Sequence, residues 1–329
     1  MQREPRAAPA MSLARRGQRV SASDDTRGQH WKRRQAARYQ SRLRQALRGR
    51  RVLLTGASSG IGRAFALQAG AAGADLVLLA RRADELARVA DAVRERGGTA
   101  RVRPVDLGDL DAVEGLADSI ASDGPIDVLI HNAGLSIRRP LADTKREDLE
   151  RLVAVDYLGG AVLTLGLLPA MRVRSFGHIV QVSTIGVLTG APNFGGYVAA
   201  KAAADHFART LRLELGGEGI RVTQLAMPLV RTPMMAPSRI YRAFPSLGVE
   251  DAARRIGWAL VRRPVRVAPR WAIALEMLHA LAPSLLQGVF TRGHDPFHAW
   301  MKRRLVRLER RETAHRATAP RAPYGHTGR

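Results

Sequence analysis

The stretch TGASSGIG at residues 55–62 decides the fold of this chain. It follows the short apolar run RVLLT at 51–55 and precedes residues 61–72, which read as a helix. Glycines spaced Gly-x3-Gly-x-Gly let the backbone approach a pyrophosphate, and amides at a helix start bind its charge. An ordinary glycine-rich turn is the alternative, which the position after a buried strand disfavours. The expected dinucleotide-binding residues are Gly56, Ser58, Ser59, Gly60, Ile61 and Gly62.

Outward from this turn, apolar strands alternate with helices. Further strands are predicted at 75–80, 102–105, 127–131, 178–182 and 221–225, and helices at 83–96, 109–122, 147–172 and 196–215. Strands that alternate with helices at this spacing form βαβ units and a parallel sheet. The predicted fold class is therefore α/β, a Rossmann-like doubly wound parallel sheet with helices on both faces.

The net charge of +24 is concentrated at the two ends of the chain. Residues 1–50 hold 14 Lys or Arg against 3 Asp or Glu, and residues 302–329 hold 9 against 2. A nucleic-acid-binding face would place basic residues in the middle of the chain, between the two ends. We therefore expect the protein to bind no specific nucleic acid. Arginine-rich ends suit a membrane surface or another acidic partner, and solvated, disordered ends are the simpler reading.

Charge and hydropathy together predict four parts. They are a basic, largely disordered tail at 1–49 with a basic helix within 30–48, a dinucleotide-binding and catalytic domain at 50–270, an apolar helical extension at 271–300 and a basic tail at 301–329. The apolar stretch 271–290 reads as one or two helices that pack on their own domain, in preference to a membrane surface.

Composition excludes several classes of function. The chain has no cysteine, which removes disulfides and thiolate metal sites. Its nine histidines show no metal-ligand spacing, so we expect no metal. The chain contains no run of 18 or more uncharged apolar residues, so we expect no transmembrane helix. The start of the chain lacks the apolar h-region of a secretory signal. We expect a cytoplasmic protein, peripheral to a membrane if its tails bind one.

Two arginines indicate which dinucleotide is bound. An NAD-specific fold places an acidic residue against the ribose 2′-hydroxyl at the end of its second strand. Arg81 and Arg82 occupy that place here, and Arg63 lies beside the turn. Guanidinium groups pair with a 2′-phosphate, which a carboxylate would repel. The expected cofactor is therefore NADPH, although arginine is common on the surface of this chain.

Tyr197 and Lys201 form the predicted acid–base pair. The spacing Y-x-x-x-K puts both side chains on one face of a helix. A nearby ammonium lowers the high pKa of a tyrosine, which can then protonate a carbonyl oxygen while hydride arrives from the cofactor. The hydroxyls of Ser183 and Thr184 end the preceding strand, and we expect Ser183 to point to the opposite face from Thr184.

Taken together, these motifs resemble the short-chain dehydrogenases/reductases over about residues 50–270. The matches are TGASSGIG at 55–62, HNAG at 131–134, the hydroxyls at 183–184, YVAAK at 197–201 and the segment 228–232. The resemblance implies a seven-stranded sheet and a homodimer or homotetramer. It also implies cofactor contacts by Asp106 and Leu107 at the adenine, Asn132, Ala133 and Gly134 at the middle, Thr232 at the carboxamide, and Tyr197 and Lys201.

Three longer segments are similar to the bacterial fatty acyl-CoA reductases of this family. They are residues 131–139, 183–203 and 227–241. This resemblance implies that NADPH reduces a lipid-linked carbonyl, foremost a fatty acyl-CoA to its aldehyde. The stretch 271–290 would then help to accept the acyl chain, and Arg138, Arg139 or Arg239 would meet CoA phosphates. Reduction of a ketone or aldehyde, such as a 3-oxoacyl group, is the alternative.

Two catalytic positions depart from the family's pattern. The family's serine falls on Thr184, which keeps the hydroxyl but adds a methyl group, and its asparagine falls on Asp156. Aspartate binds water as asparagine does, yet brings a negative charge near Lys201. The expected catalytic set is Thr184, Tyr197, Lys201 and Asp156. These departures motivate another alternative, an NADPH-binding protein with little or no catalysis that its basic tails recruit.

Overall fold

The computed structural model describes residues 36–235, 244–284 and 288 of a chain that divides into two units, 1–39 and 40–329. Residues 36–39 of the first unit are helical, as are residues 40–47 of the second, helix α1. Leu43 and Leu47 of α1 are fully buried, because this part of the predicted basic tail packs within the second unit. The rest of both predicted tails, 1–35 and 301–329, lies outside the described residues.

Seven strands of the described chain form one parallel sheet, which confirms the predicted fold class. The strands are β1 (Arg51–Thr55), β2 (Asp75–Ala80), β3 (Thr99–Pro104), β4 (Val128–His131), β5 (Gly177–Thr184), β6 (Ile220–Met227) and β7 (Arg266–Val267). Their order is β3-β2-β1-β4-β5-β6-β7. The chain reverses direction across the sheet between β1 and β4, and ligands of such sheets bind at that crevice.

Helices connect the strands in two layers. They are α2 (Gly60–Ala71), α3 (Ala83–Arg94), α4 (Leu110–Ser122), α5 (Arg146–Val153), α6 (Gly159–Val173), the short α7 (Gly186–Thr189), α8 (Gly195–Leu215), α9 (Val249–Arg262) and α10 (Arg270–Leu281). Apolar residues of α4, α6 and α8 pack on one face of the sheet around Leu53, Leu129 and Ile179. Helix α2 contacts α3 and α9 in the other layer.

The predicted helix at 147–172 is a helical segment, Arg146–Val173, with a π-turn inside it. The π-turn spans Ala154–Leu158, between α5 and α6, and Asp156 lies at its centre. Single π-turns within α-helices are often found at functional sites. Of the helices in the described residues, this segment is the one whose length and apolar composition would allow it to cross a membrane. Helices in the core of a soluble protein meet the same criteria.

The apolar extension packs on the domain less than its sequence predicts. Ala272 of α10 is fully buried against Leu188 and Ala226. Trp271, by contrast, is 57% exposed, and Met277 and Leu281 are also exposed. Helix α10 therefore presents apolar side chains to solvent, and residues 285–287 and 289–300 of the predicted extension lie outside the described part.

Candidate active site

The crevice at the carboxyl ends of β1 and β4 is organised by Thr55. Its hydroxyl accepts hydrogen bonds from the amides of Asn132 (3.0 Å) and Ala133 (2.9 Å). The side-chain amide of Asn132 donates to the carbonyl oxygen of Thr55 at 3.0 Å. These bonds hold the predicted cofactor residues 132–134 against the glycine-rich turn, a role that the sequence analysis did not assign to Thr55.

The glycine-rich turn requires small residues because two backbone segments meet in it. Gly56 has a φ of +67°, and a Cβ atom on it would lie 2.8 Å from Cα of Ala133. A Cβ atom on Gly62 would lie 2.2 Å from the carbonyl oxygen of Gly56. Thr232 lies over the turn, 3.3 Å from the Cβ position of Gly60. Helix α2 begins directly after Ser59, so the backbone amides of Gly60–Gly62 form its N-terminus. Amides at the N-terminus of a helix can bind an anion such as a pyrophosphate.

Two arginines follow β2 at the edge of this turn. The guanidinium of Arg82 donates to the hydroxyl of Ser58 at 3.2 Å. Arg81 is also exposed and lies 3.8 Å from a carboxylate oxygen of Asp106. Positive charge is thus placed beside the turn, where a 2′-phosphate would need it.

Asp106 and Leu107 follow β3 and differ in their surroundings. Asp106 accepts a hydrogen bond from Arg151 at 2.6 Å. The amide of Gly108 and the guanidinium of Arg151 outweigh the opposing effect of burial and lower the pKa of Asp106. The side chain of Leu107 is buried in the core, so that only its backbone remains for the contact that the family resemblance implies.

The structure brings together three of the four predicted catalytic side chains on β5 and α8. Thr184 ends β5, and its hydroxyl meets the phenol of Tyr197 near the start of α8. Lys201 lies one helical turn further along and is 4% exposed. Ser183, in contrast, is not the hydroxyl that meets Tyr197. It lies beside Asp205 in the protein interior.

The fourth, Asp156, pairs with Lys201 inside the protein. Nζ of Lys201 lies 3.1 Å from Oδ1 of Asp156, and both side chains are almost completely buried. The same Oδ1 accepts from the amide of Leu135 at 3.0 Å, while Lys201 donates to the carbonyl oxygen of Ala133 at 3.2 Å. Gly134 permits this approach, because a Cβ atom on it would lie 2.9 Å from Asp156.

The buried surroundings of Tyr197 correct one expectation about its pKa. Burial raises the pKa of the phenol, Lys201 lowers it, and the carboxylate of Asp156 raises it again, so that it lies above its ordinary value. The expected lowering by the ammonium does not prevail, because burial of the phenol is the larger effect and the carboxylate of Asp156 adds to it. Burial lowers the pKa of Lys201, but Asp156 and Tyr197 outweigh it, and the net pKa is raised. Tyr197 therefore keeps its proton at neutral pH, as a proton donor must.

A second buried carboxyl, Asp205, was missed by the sequence analysis. It follows Tyr197 and Lys201 at the same four-residue spacing, which was the available signal. Burial raises its pKa to about 6, against the opposing effects of Ser183 and Lys201. Gln224 of β6 donates to the backbone oxygen of Asp205 at 2.8 Å.

The arginines proposed for CoA phosphates are arranged differently from one another. Arg139 is engaged in an ion pair with Asp148 at 2.5 Å, whereas Arg138 is exposed. Arg239 lies outside the described residues. Within the ranges that the structure describes, no group of three or more His, Cys, Asp or Glu side chains is arranged to hold a metal ion.

Comparisons with known proteins agree with this geometry. A family model described as short chain dehydrogenase matches residues 50–242. A fatty acyl-CoA reductase of Acinetobacter baylyi is 42% identical and covers 78% of this chain and 88% of its own length. An uncharacterised oxidoreductase of Mycobacterium tuberculosis is 43% identical and covers 78% and 76%. A structure of a 3-oxoacyl (acyl-carrier-protein) reductase of Agrobacterium tumefaciens with NADP bound is 27% identical, with a TM-score of 0.62 over 67% of this chain and 89% of that chain.

Proposed function

The chain belongs to the short-chain dehydrogenase family of oxidoreductases, and from that premise we propose that it reduces a lipid-linked carbonyl with NADPH, foremost a fatty acyl-CoA to its aldehyde. The observation that carries the proposal is the contact between the hydroxyls of Tyr197 and Thr184, one helical turn from the buried Lys201. A protonated phenol held by a hydroxyl beside a dinucleotide turn is suited to protonating a carbonyl oxygen.

The residues around the crevice fit NADPH. The amides of Gly60–Gly62 would bind its pyrophosphate, and Arg81 and Arg82 its 2′-phosphate. Asn132–Gly134, Thr232 and the ammonium of Lys201 would hold the part nearer the nicotinamide. When bound, the cofactor supplies a hydride to the carbonyl carbon of the substrate.

The side chains of the chain itself handle the proton. Thr184 orients the carbonyl oxygen, and Tyr197 gives it a proton as the carbon receives the hydride. With an acyl-CoA thioester, the resulting hemithioacetal breaks its carbon–sulfur bond and the hydroxyl proton passes to the departing sulfur. The products are then the aldehyde and the CoA thiol. The charge of Lys201 stabilises the tyrosinate that remains, until Tyr197 is protonated again.

Two observations support a lipid substrate. Relatives named fatty acyl-CoA reductase are 42–43% identical over three quarters of the chain. Helix α10 exposes Trp271, Met277 and Leu281, apolar side chains that suit an acyl chain or the membrane from which it comes. A cytoplasmic location, peripheral membrane contact through the basic tails and a homo-oligomeric state are parts of the same proposal.

Replacing Arg82 by Ala is expected to weaken NADPH binding about 10–100-fold, because a charge-assisted hydrogen bond to the 2′-phosphate is lost. NADH binding is expected to change little. Both dissociation constants are measured by cofactor fluorescence, with Arg88→Ala on the exposed face of α3 as the control arginine. An equal loss for NADH and NADPH would contradict the proposed phosphate contact.

The proposed reaction is tested by the loss of NADPH absorbance with purified protein and a long-chain acyl-CoA, with NADH in parallel. Turnover that depends on the acyl-CoA and yields an aldehyde is expected. Turnover with 3-oxoacyl thioesters or ketones alone would favour the second candidate, which the likeness to a 3-oxoacyl reductase supports.

The buried Lys201–Asp156 pair also bears on the alternative of a protein with little catalysis. If NADPH binds but no carbonyl compound is reduced, the next step is to assay the combined variant Thr184→Ser, Asp156→Asn, which restores the residues of the family's pattern. A large gain of activity in that variant would support the non-catalytic alternative, and ready turnover by the natural chain would eliminate it.

A further inference from the structure

Two buried polar atoms near the Lys201–Asp156 pair have no hydrogen-bond partner among the described residues. One is Oδ2 of Asp156, the carboxylate oxygen that does not face Lys201. The other is Nδ1 of His131, the last residue of β4. A buried polar atom without a hydrogen-bond partner destabilises the folded state, so both atoms call for a partner.

Both residues line the same small cavity. Its volume is about 20 Å³, and Thr164 and Gly160 of α6 also line it. A cavity needs about 10–15 Å³ to hold one water molecule, together with two or more polar partners. Nδ1 of His131 faces Gly160, which lies one helical turn after Asp156. The size and the lining of the cavity therefore fit a single water molecule.

The hydrogen bonds around His131 determine which ring nitrogen carries the proton. Thr164 donates its one hydroxyl proton to the carbonyl oxygen of Gly160 at 2.8 Å. It must then accept from Nε2 of His131, which lies 2.8 Å away. Burial, and to a lesser degree the charge of Lys201, lowers the pKa of His131 to about 4, so that the ring is neutral at pH 7. A neutral ring protonated on Nε2 leaves Nδ1 as an acceptor.

We propose that this cavity binds one water molecule, which donates its two hydrogen bonds to Nδ1 of His131 and Oδ2 of Asp156 and makes His131 a positioning residue for the Lys201–Asp156 pair. One donor with two protons satisfies two acceptors. The water stabilises the charged form of Asp156 and holds its carboxylate towards Lys201. Only the consequence for catalysis rests on the proposed function, because the water site itself depends on the cavity and on the two buried acceptors that line it.

Displacing the water tests the proposal without removing either acceptor. Gly160→Ala places a methyl group 3.2 Å from Nδ1 of His131, within the cavity lining. Alanine is favourable inside a helix, so this variant should fold. Its matched control is Gly115→Ala in α4, where an added Cβ atom contacts nothing.

Replacing the histidine provides a second, independent variant. His131→Phe removes the acceptor, and His178→Phe is its control. His178 is also buried, and its Nε2 lies 3.0 Å from the hydroxyl of Thr223, but it lies at the opposite end of the sheet, where β5 begins. The two variants lose the same kind of histidine–threonine bond, so that they separate a structural loss from a specific effect on Asp156.

The readout is the pKa of the Asp156 carboxyl, measured by carbon NMR on the full chain without cofactor or substrate, its signal assigned by its loss in Asp156→Asn. Gly160→Ala and His131→Phe are expected to raise it by about one pH unit, since a hydrogen bond to the charged form is lost. The controls should leave it unchanged. The other titratable side chains beside the Lys201–Asp156 pair are Tyr197 and Asp205 of α8. These residues and Lys201 itself are unchanged in all four variants.

The ring nitrogens of His131, assigned by their loss in His131→Phe, should show a neutral ring protonated on Nε2. An unchanged pKa in Gly160→Ala and His131→Phe, or a proton on Nδ1, would overturn the proposal. If the pKa rises as expected but no carbonyl is reduced, the proposed function fails and the water site stands.

Discussion

Replacing Tyr197 by Phe is expected to lower turnover with NADPH and acyl-CoA about 10²–10⁴-fold, while NADPH binds within about twofold of its natural affinity. The change removes the phenol oxygen alone. Without it, the site lacks the group that we propose as the proton donor to the carbonyl oxygen. The measurement is single-turnover NADPH oxidation together with a fluorescence titration of the cofactor.

Tyr157→Phe is the control for this variant. Tyr157 lies in the π-turn, and its ring packs edge-on against Phe207 with centroids 6.0 Å apart. Its loss of one phenol oxygen should leave turnover near that of the natural chain. Full activity of Tyr197→Phe would refute the assignment of the proton donor, and equal losses in both variants would point to a general effect of removing a phenol oxygen.

Replacing Lys201 by Met is expected to destabilise the protein by about 3–5 kcal/mol at neutral pH and to abolish turnover. The carboxylate of Asp156 would remain buried without its cation. Combining Lys201→Met with Asp156→Asn should restore most of the stability, because the unpaired charge is gone. The combined variant should stay inactive, since the tyrosinate of Tyr197 would still lack its ammonium. Urea unfolding and the NADPH assay measure the two effects separately.

The deficit of Lys201→Met should also depend on pH. Burial raises the pKa of Asp156, and the lost ammonium had opposed that effect. A group whose pKa is higher in the folded state stabilises the fold below its unfolded pKa, and this contribution disappears as the pH rises through the folded value. The variant should therefore lie closer to the natural chain at about pH 5 than at about pH 8. A deficit that is independent of pH would show that lost packing, and not the unpaired carboxylate, is its cause.

The order of the first six strands and of the long helices between them could be predicted because each buried strand is a local apolar run. Strand β7 and helix α9 were not predicted. The limits of the elements were predicted less well where burial is one-sided. Strand β3 lies at the sheet edge, where Thr99 and Arg101 are exposed, so its apolar pattern indicates only residues 102–105. The π-turn within 146–173 was not predicted, because the sequence pattern of this segment indicates one continuous helix.

Much of the candidate site could be predicted from the order of the strands and helices in the sequence. Parallel strands end at one edge of a sheet, so the turn at 55–62, Asn132–Gly134, Thr184 and Tyr197 had to approach one another once the βαβ order was known. The contact of Arg82 with Ser58 follows from the same order, since the two residues lie in the loops that follow adjacent strands. Apolar helix α10 shows the limit of such reasoning, because its pattern predicted burial that the structure shows only at Ala272.

The sequence by itself determined the fold class, the dinucleotide turn and the spacing of Tyr197 and Lys201, because each depends on neighbours within one strand or one helical turn. The tertiary structure decided the protonation states. Asp156 and Lys201 are 45 positions apart in the sequence, yet only 3.1 Å apart in space. Burial of Tyr197, together with the carboxylate of Asp156, outweighs the effect of the ammonium on the pKa of the phenol. The strength of an electrostatic interaction depends on distance and on exclusion of water, which the order of residues alone does not specify.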